Sequence, residues 1–152
     1  MNNKQLLQEV LNLKGFIEIK ERISEMTVGQ ELDEAFAIEF LDMEYVEETQ
    51  EVEISSSNKL ETNYVSTETE KPVFLPNVST DNNLAVMVLK DLQQDFNFEY
   101  RENKFNVPYS DMAVFEGHTI GEAVMKALLF GRAIEAAGIK QDINKGSNVD
   151  NA

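Results

Sequence analysis

The chain has 152 residues and a formal net charge of −15, and these two values already limit what it does. A chain of this length predicts one globular domain with tails, and its 42% hydrophobic content is enough for one core. Because phosphate backbones are bound by clustered Lys and Arg, we expect no direct binding to nucleic acid or to anionic membranes. No cysteine and a single histidine exclude thiolate catalysis, disulfides and a histidine-rich metal site within one subunit. We therefore expect no catalytic residue, no metal and no cofactor.

The acidic charge has three interpretations. In the first it only keeps the surface solvated, which is the ordinary role of surface charge. In the second it forms an ordered surface that mimics a nucleic acid and occupies a basic groove on another protein. The third is a calcium site, which the lack of a D-x-D-x-D-G loop disfavours.

The N-terminal segment, residues 1–26, is predicted to be an amphipathic helix. Between Asn3 and Met26 apolar residues recur at mostly helical spacing, with a bend expected at Gly15. No run of eighteen apolar residues and no signal-peptide block is present, so we expect a soluble, unexported protein. The apolar stripe of the helix must be buried, and we expect a second subunit to cover it in a homo-oligomer, most simply a symmetric dimer.

The next helix is expected to begin at Thr27, which would form a capping box with Gln30. It contains the motif G-Q-E-L-D-E-A-F-A over residues 29–37. In this motif we expect Gly29 to allow close packing, and Leu32 and Phe36 to enter the core. Each of these roles is structural.

The segment from Asp42 to Glu70 is strongly acidic, with nine acidic residues against Lys59 alone. Alternating apolar residues in its two halves predict a hairpin closed by a turn at residues 55–58. A mobile acidic loop is the other interpretation.

The remainder of the chain is predicted to contain two further helices and a small sheet. Asp81 caps one helix, and Thr119 with Glu122 caps a closing helix that ends at Gly138. Between them, strands are expected over residues 96–101, 105–107 and 112–115, with a turn at residues 102–104. These faces predict an α+β fold in which helices sandwich a small antiparallel sheet. Residues 27–140 form this domain, with an acidic insertion at about 42–71 and a disordered tail over 141–152.

Three motifs together resemble the phage ABA-sandwich domain, a family of small bacteriophage proteins. They are residues 29–37, the sequence P-N-V-S-T-D over residues 76–81 with Ala85 four positions on, and the Ala-rich closing helix. The resemblance covers about residues 26–137 apart from the acidic insertion. It implies a phage accessory protein in the host cytoplasm, similar in architecture to oligomeric proteins that sequester cyclic ADP-ribose signals of Thoeris immunity and other cyclic-nucleotide alarms. No ligand contact is carried over from that family.

Anion binding is the site chemistry that the residues themselves favour. Helix N-termini at residues 79–81 and 119–121 present backbone N–H groups, and Gly121 would let a ligand approach closely. Few cations are available to close around a phosphate, because 13 Lys and Arg face 28 Asp and Glu. His118 is expected to be a surface turn residue. The candidate ligand-binding residues are Ser79, Thr80, Arg101, Thr119, Gly121, Lys126 and Arg132.

These observations leave two leading functions of different class. A phage housekeeping domain is a third. The first is a non-enzymatic anti-defence protein that sequesters a small phosphate-bearing signalling nucleotide at a subunit interface. The second is an acidic inhibitor or nucleic-acid mimic that binds a host defence protein through the surface between Glu44 and Glu70.

Overall fold

The described residues form helices and two antiparallel three-stranded sheets, which confirms the α+β prediction, with the strands divided between two sheets where we expected one. The computed structural model describes residues 9–92, 97–110 and 112–138, and the predicted disordered tail lies outside them. Residues 9–12 are helical. In chain order the elements that follow are α1 (Phe16–Ser24), α2 (Gln30–Phe40), β1 (Met43–Glu53), β2 (Lys59–Ser66), β3 (Pro72–Val73), α3 (Asn82–Asp91), β4 (Glu99–Arg101), β5 (Lys104–Tyr109), β6 (Ala113–Gly117) and α4 (Ile120–Ala137).

The predicted N-terminal helix is interrupted at residues 13–15 and resumes as α1 with Gly15 as its N-cap. Its apolar side is buried in the chain's own core, where Val10 is 1% and Ile19 and Ile23 are 0% exposed. Phe16 meets Phe130 of α4 edge to face, with ring centroids 5.6 Å apart. Most of the described stripe is thus covered within one chain, although Ile17 is 67% exposed. The apolar stripe therefore gives little support to the predicted oligomer, which stays a prediction.

The sheet β4-β5-β6 and helix α4 form the main core. Glu102 and Asn103 both have positive φ, 55° and 65°, and this two-residue turn gives the β4–β5 hairpin the primed geometry that suits twisted strands. Phe115 on β6 and Phe130 on α4 are both fully buried, and their ring centroids lie 5.1 Å apart. The predicted Thr119 N-cap and Gly138 C-cap of the closing helix are confirmed. The part of the predicted strand before residue 97 lies outside the described residues.

The acidic segment is a β-hairpin, which decides between the two interpretations of its sequence. β1 pairs with β2, and the turn closes where Ile54 N–H donates to Asn58 O at 2.9 Å. The register shifts between Tyr45 and Gln50, so β1 carries a bulge. The base of the hairpin packs on α2 in a second small core around Ala37, Met43 and Tyr64.

Helix α2 begins at Gln30, and the predicted capping box at its start is wrong in two respects. The N-cap is Gly29, and its φ of 108° is a conformation that favours glycine. Close packing, which we expected to be the reason for this glycine, is not, because a Cβ added to Gly29 would meet nothing within 4 Å. The carboxylate that reaches back to Thr27 N–H, at 2.6 Å, belongs to Glu31. Gln30 instead donates to the hydroxyl of Tyr64 at 3.5 Å.

Candidate functional site

Ser79, Thr119 and Gly121 lie together, but in a closed junction between helices. Ser79 is fully buried, its N–H donates to Asp33 Oδ1 at 2.7 Å and its Oγ accepts from Gly29 N–H at 2.9 Å. The hydroxyl of Thr119 donates to the carbonyl oxygen of Ser79. Every polar group of Ser79 therefore has a protein partner, and its role here is to join α2 and α4.

The N-terminus of α4 does not present the free N–H groups that the sequence suggested. Ile120 N–H donates to Asn82 Oδ1 at 2.8 Å, and Glu122 N–H donates to Thr119 Oγ1 at 3.0 Å. Glu122 Oε1 in turn accepts from His118 N–H, one residue before the N-cap, at 3.0 Å, so only the Thr119 half of the predicted capping box forms. Protein oxygens thus occupy two of the first three N–H donors of α4, those of Ile120 and Glu122.

Gly121 serves the packing of two chain segments, and the prediction that it admits a ligand is wrong. A Cβ at this position would lie 2.0 Å from the carbonyl oxygen of Val78 and 2.9 Å from its carbonyl carbon. Backbone atoms cannot turn aside as a flexible side chain does. The glycine is thus needed where the segment before α3 crosses the start of α4.

The N-terminus of α3 is capped by a carboxylate. Asp81 Oδ1 accepts from Leu84 N–H at 3.0 Å, so a negative charge already stands where a phosphate would sit. Thr80 is exposed, and its hydroxyl donates to Asn77 O at 3.3 Å. Neither predicted helix terminus is organised as an anion site.

The three predicted cations are not brought together. Arg101 is exposed on β4 and pairs with Glu99. Arg132 binds Glu39 at 2.8 Å, and its guanidinium carbon lies 4.6 Å from the centre of the Phe40 ring. Lys126 is six residues earlier on α4, about 9 Å along the axis and on a different face of the helix. Of the three, Lys126 alone lines the cleft described next.

A cleft of about 330 Å³ lies beside β6, and we call it the β6 cleft. The strand forms one wall, and the end of α1 and the first turns of α4 form the other. Its lining consists of Ser24, Lys104, Val114, Phe115, Glu116, Gly117, His118, Glu122 and Lys126. The volume is at the lower end of the range for pockets that enclose a small molecule.

Lys126 is the central charged group of the β6 cleft. The residue is only 4% exposed, and its ammonium donates to Ser24 O and to Glu122 Oε2, each at 3.0 Å. An ammonium has three N–H donors, and no described residue accepts from the third. Lys126 is therefore a buried cation with one N–H donor that has no acceptor among the described residues.

The charges of the β6 cleft balance, although the chain as a whole is strongly acidic. At its exposed side Lys104 Nζ binds Glu116 Oε1 at 3.2 Å, and deeper in it Lys126 pairs with Glu122. Two lysines thus face two glutamates beside His118. An anionic ligand meets less repulsion here than on the surface of the β1–β2 hairpin, where glutamates outnumber lysine.

Another cleft, of about 290 Å³, lies on the outer face of the same sheet. Arg101 and Glu99 line it with Phe98, Pro108 and Val114. Its single described ion pair, Arg101 with Glu99, is on the exposed surface. It offers an anion less than the β6 cleft does, because its cation is solvated whereas Lys126 is buried.

Two buried acids outside the clefts serve the fold. Burial raises the pKa of the Asp33 carboxyl above its ordinary value of 3.8, although the hydrogen bonds from Ser79 act in the opposite direction. Glu34 is 3% exposed and accepts a hydrogen bond from the hydroxyl of Tyr64. Burial, followed by that bond to Glu34, raises the pKa of Tyr64. These groups tie α2 to Ser79 and to β2.

Sequence reasoning found Lys126 and missed its companions in the cleft. Lys104 and Glu116 lie diagonally across β5 and β6 on the outer face, a relation that follows from strand register and not from spacing along the chain. Ser24 contributes a carbonyl from 102 positions away. Strand alternation could have indicated the Lys104–Glu116 pair once the two strands were placed in register.

Comparison with known proteins gives no family: no protein-family model, curated protein or solved structure matches the chain. The resemblance to the phage ABA-sandwich domain stays a prediction. Among residues 9–92, 97–110 and 112–138, no helix combines the length and apolar character needed to cross a membrane. The same ranges hold no cluster of three metal-ligating side chains.

Proposed function

We propose that this protein binds and sequesters a small phosphate-bearing nucleotide in the β6 cleft, without turning it over. The observation that carries the proposal is Lys126, a buried ammonium with one N–H donor that has no acceptor among the described residues, in a cleft of about 330 Å³. A phosphate oxygen would accept from Lys126 Nζ, and Lys104 would add a second charge-assisted contact at the exposed side. The volume suits a mononucleotide better than a larger ligand.

The biological setting of this proposal comes from the resemblance to phage proteins. In the host cytoplasm, a phage protein of this kind would lower the free concentration of a cyclic-nucleotide or cyclic ADP-ribose immune signal. Sequestration needs tight stoichiometric binding and no nucleophile. A chain with one histidine and no cysteine suits that task.

Isothermal titration calorimetry tests the site with a cyclic mononucleotide, cyclic ADP-ribose and inorganic phosphate as probes. Loss of one hydrogen bond to a charged group costs about 1.5–3 kcal/mol, so Lys126→Met should weaken binding about 10- to 150-fold. Lys104→Gln should weaken it as well, and this exposed position leaves folding unaffected. Arg101→Gln and Arg132→Gln are the matched controls, because those cations lie outside the β6 cleft.

The same titration separates the cleft from the acidic hairpin. The proposed ligand is an anion, so replacing four hairpin carboxylates by amides should leave its binding intact. The variant changes Glu47, Glu48, Glu51 and Glu53 to Gln. Native mass spectrometry with a small-molecule extract of defended cells would then identify the natural ligand. If no probe binds and no extract compound adds mass, the proposed function is wrong.

A further inference from the structure

The outer half of the β1–β2 hairpin, residues 50–62, has one apolar face and one acidic face; we call it the arm. Val52 pairs with Leu60, and Glu51 pairs with Glu61. Directly opposed residues share a face and successive residues alternate between faces, so Val52, Leu60 and the following Ile54 lie on one side. The other side carries Glu51, Glu53, Lys59 and Glu61.

The apolar face of the arm is uncovered. Near the base, the same face carries Tyr64 and Met43, which pack against α2. Beyond the reach of that helix, Ile54 and Leu60 are each 54% exposed. A two-stranded ribbon is marginally stable in water without a layer packed on it. The arm therefore holds out an apolar surface that nothing in the described chain covers.

The acidic face is also unbalanced. Glu51 stands directly opposite Glu61, and like charges opposed across two strands destabilise the pair. Lys59 lies 3.9 Å from Glu51, but both side chains are more than half exposed, so their attraction is weak. Neither face is arranged for the stability of the isolated arm.

The base of the arm is nevertheless fixed. The side-chain amide of Asn63 on β2 donates to three acceptors in the β1 bulge: Val46 O at 3.1 Å, Glu47 O at 3.3 Å and Thr49 Oγ1 at 3.3 Å. These bonds hold the kink from which the arm extends. A fixed arm loses less conformational entropy on binding than a loop would.

We propose that the arm docks on a partner protein that presents an apolar pocket flanked by lysine or arginine side chains. Ile54 and Leu60 fill the pocket, and Glu51, Glu53 and Glu61 meet the cations beside it. A basic partner relieves both the exposed apolar surface and the repulsion between Glu51 and Glu61. A second copy fits poorly, because it would bring two acidic arms and two chains of net charge −15 together.

This docking surface is separate from the β6 cleft, since the arm belongs to the sheet β1-β2-β3 and the cleft to the sheet β4-β5-β6. Either activity therefore stands if the other fails. The apolar residues make the specific contact, while the glutamates accelerate association and give it a dependence on salt.

The test uses the full-length chain and a fluorescent 12-residue peptide in which leucine alternates with lysine. Fluorescence anisotropy should show binding to this probe and at least tenfold weaker binding to peptides that alternate leucine with glutamate or serine with lysine. Ile54→Ser with Leu60→Ser should weaken binding of the leucine–lysine probe at least tenfold. The matched control, Val86→Ser with Met87→Ser, changes apolar residues of α3 that are 49% and 61% exposed, and should leave it within twofold.

Salt dependence supplies a second comparison. Changing Glu51, Glu53 and Glu61 to Gln should flatten the fall of affinity between low and high salt. The same change at Glu18, Glu21 and Glu25, exposed on or just after α1, alters net charge equally and should not flatten it. Methyl NMR of the wild-type chain gives a readout without substitution, in which Ile54 and Leu60 shift on adding the probe and Val86 does not.

Three results would overturn the proposal. One is equal loss of binding in the arm and α3 variants. Another is binding of the serine–lysine peptide as tight as that of the leucine–lysine peptide, which would mean that charge alone attracts it. The third is a dimer, seen by light scattering, that Ile54→Ser with Leu60→Ser abolishes, because the face would then belong to a second copy.

Discussion

Gly121→Ala should destabilise the protein, although alanine is the better helix former. The added Cβ would lie 2.0 Å from Val78 O, well inside van der Waals contact, and the obstructing atoms are backbone. The start of α4 and the segment before α3 must therefore separate. That movement weakens the bond from Thr119 to Ser79 O and the bond from Ile120 N–H to Asn82.

The magnitude follows from three contributions. Overpacking costs about 1–3 kcal/mol. The two weakened hydrogen bonds cost about 1 kcal/mol each. Higher helix propensity returns up to about 1 kcal/mol. The net expectation is a loss of about 2–4 kcal/mol in the free energy of unfolding.

Urea denaturation followed by circular dichroism measures this loss. Gly15→Ala is the matched control, because the atom its Cβ would meet first, at 2.5 Å, is the end of the flexible Glu18 side chain. That variant should stay within about 1 kcal/mol of wild type, because the Glu18 side chain can move aside and the remaining cost is that of alanine replacing glycine as the N-cap of α1. Wild-type stability of the Gly121→Ala variant would refute the close approach of the two segments. It would also reopen Gly121 as a position that admits a ligand.

Two further predictions concern the buried acids. Tyr64→Phe removes the described hydrogen-bond donor to buried Glu34 and should lower the unfolding free energy, measured in urea, by about 1–3 kcal/mol. The control is Tyr45→Phe, which should cost less than about 0.5 kcal/mol because the Tyr45 hydroxyl has no hydrogen bond within the described residues. Equal losses in the two variants would contradict the pairing of Tyr64 with Glu34. Burial raises the pKa of Asp33 above 3.8, so between pH 3.8 and the raised value Asp33 is more protonated in the folded chain than in the unfolded chain. The contribution of Asp33 to stability therefore falls as pH rises through that window. Asp33→Asn keeps an oxygen that accepts from Ser79 N–H but does not titrate. The unfolding free energy of wild type minus that of this variant should therefore decline as pH rises across the window. A difference that does not change with pH would count against the raised pKa of Asp33.

Local signals in the sequence were sufficient for most of the elements. A hydroxyl at Thr119 followed by Glu122 fixes a helix start, and Gly138 with φ of 74° fixes its end, because capping involves atoms only a few residues apart. The strands β4 to β6 follow from alternation and the turn at Glu102 and Asn103. The same alternation indicated the acidic hairpin. The hairpin forms instead of a mobile loop because its base packs on α2, and the spacing of residues along the chain does not reveal that contact.

The site depended on contacts between distant segments. The helix N-termini looked like anion sites because their donors have no partners within the helix. Asn82 fills one such donor from 38 positions away, and Ser79 takes the N–H of Gly29 from 50 positions away. Lys126 was a candidate from the sequence alone, but folding places it in a cleft that Ser24, Lys104 and Glu116 also line. The sequence by itself determined the elements and the scarcity of cations. Only the tertiary structure decided which donors remain for a ligand, because hydrogen-bond partners brought together by folding leave no periodic trace in the chain.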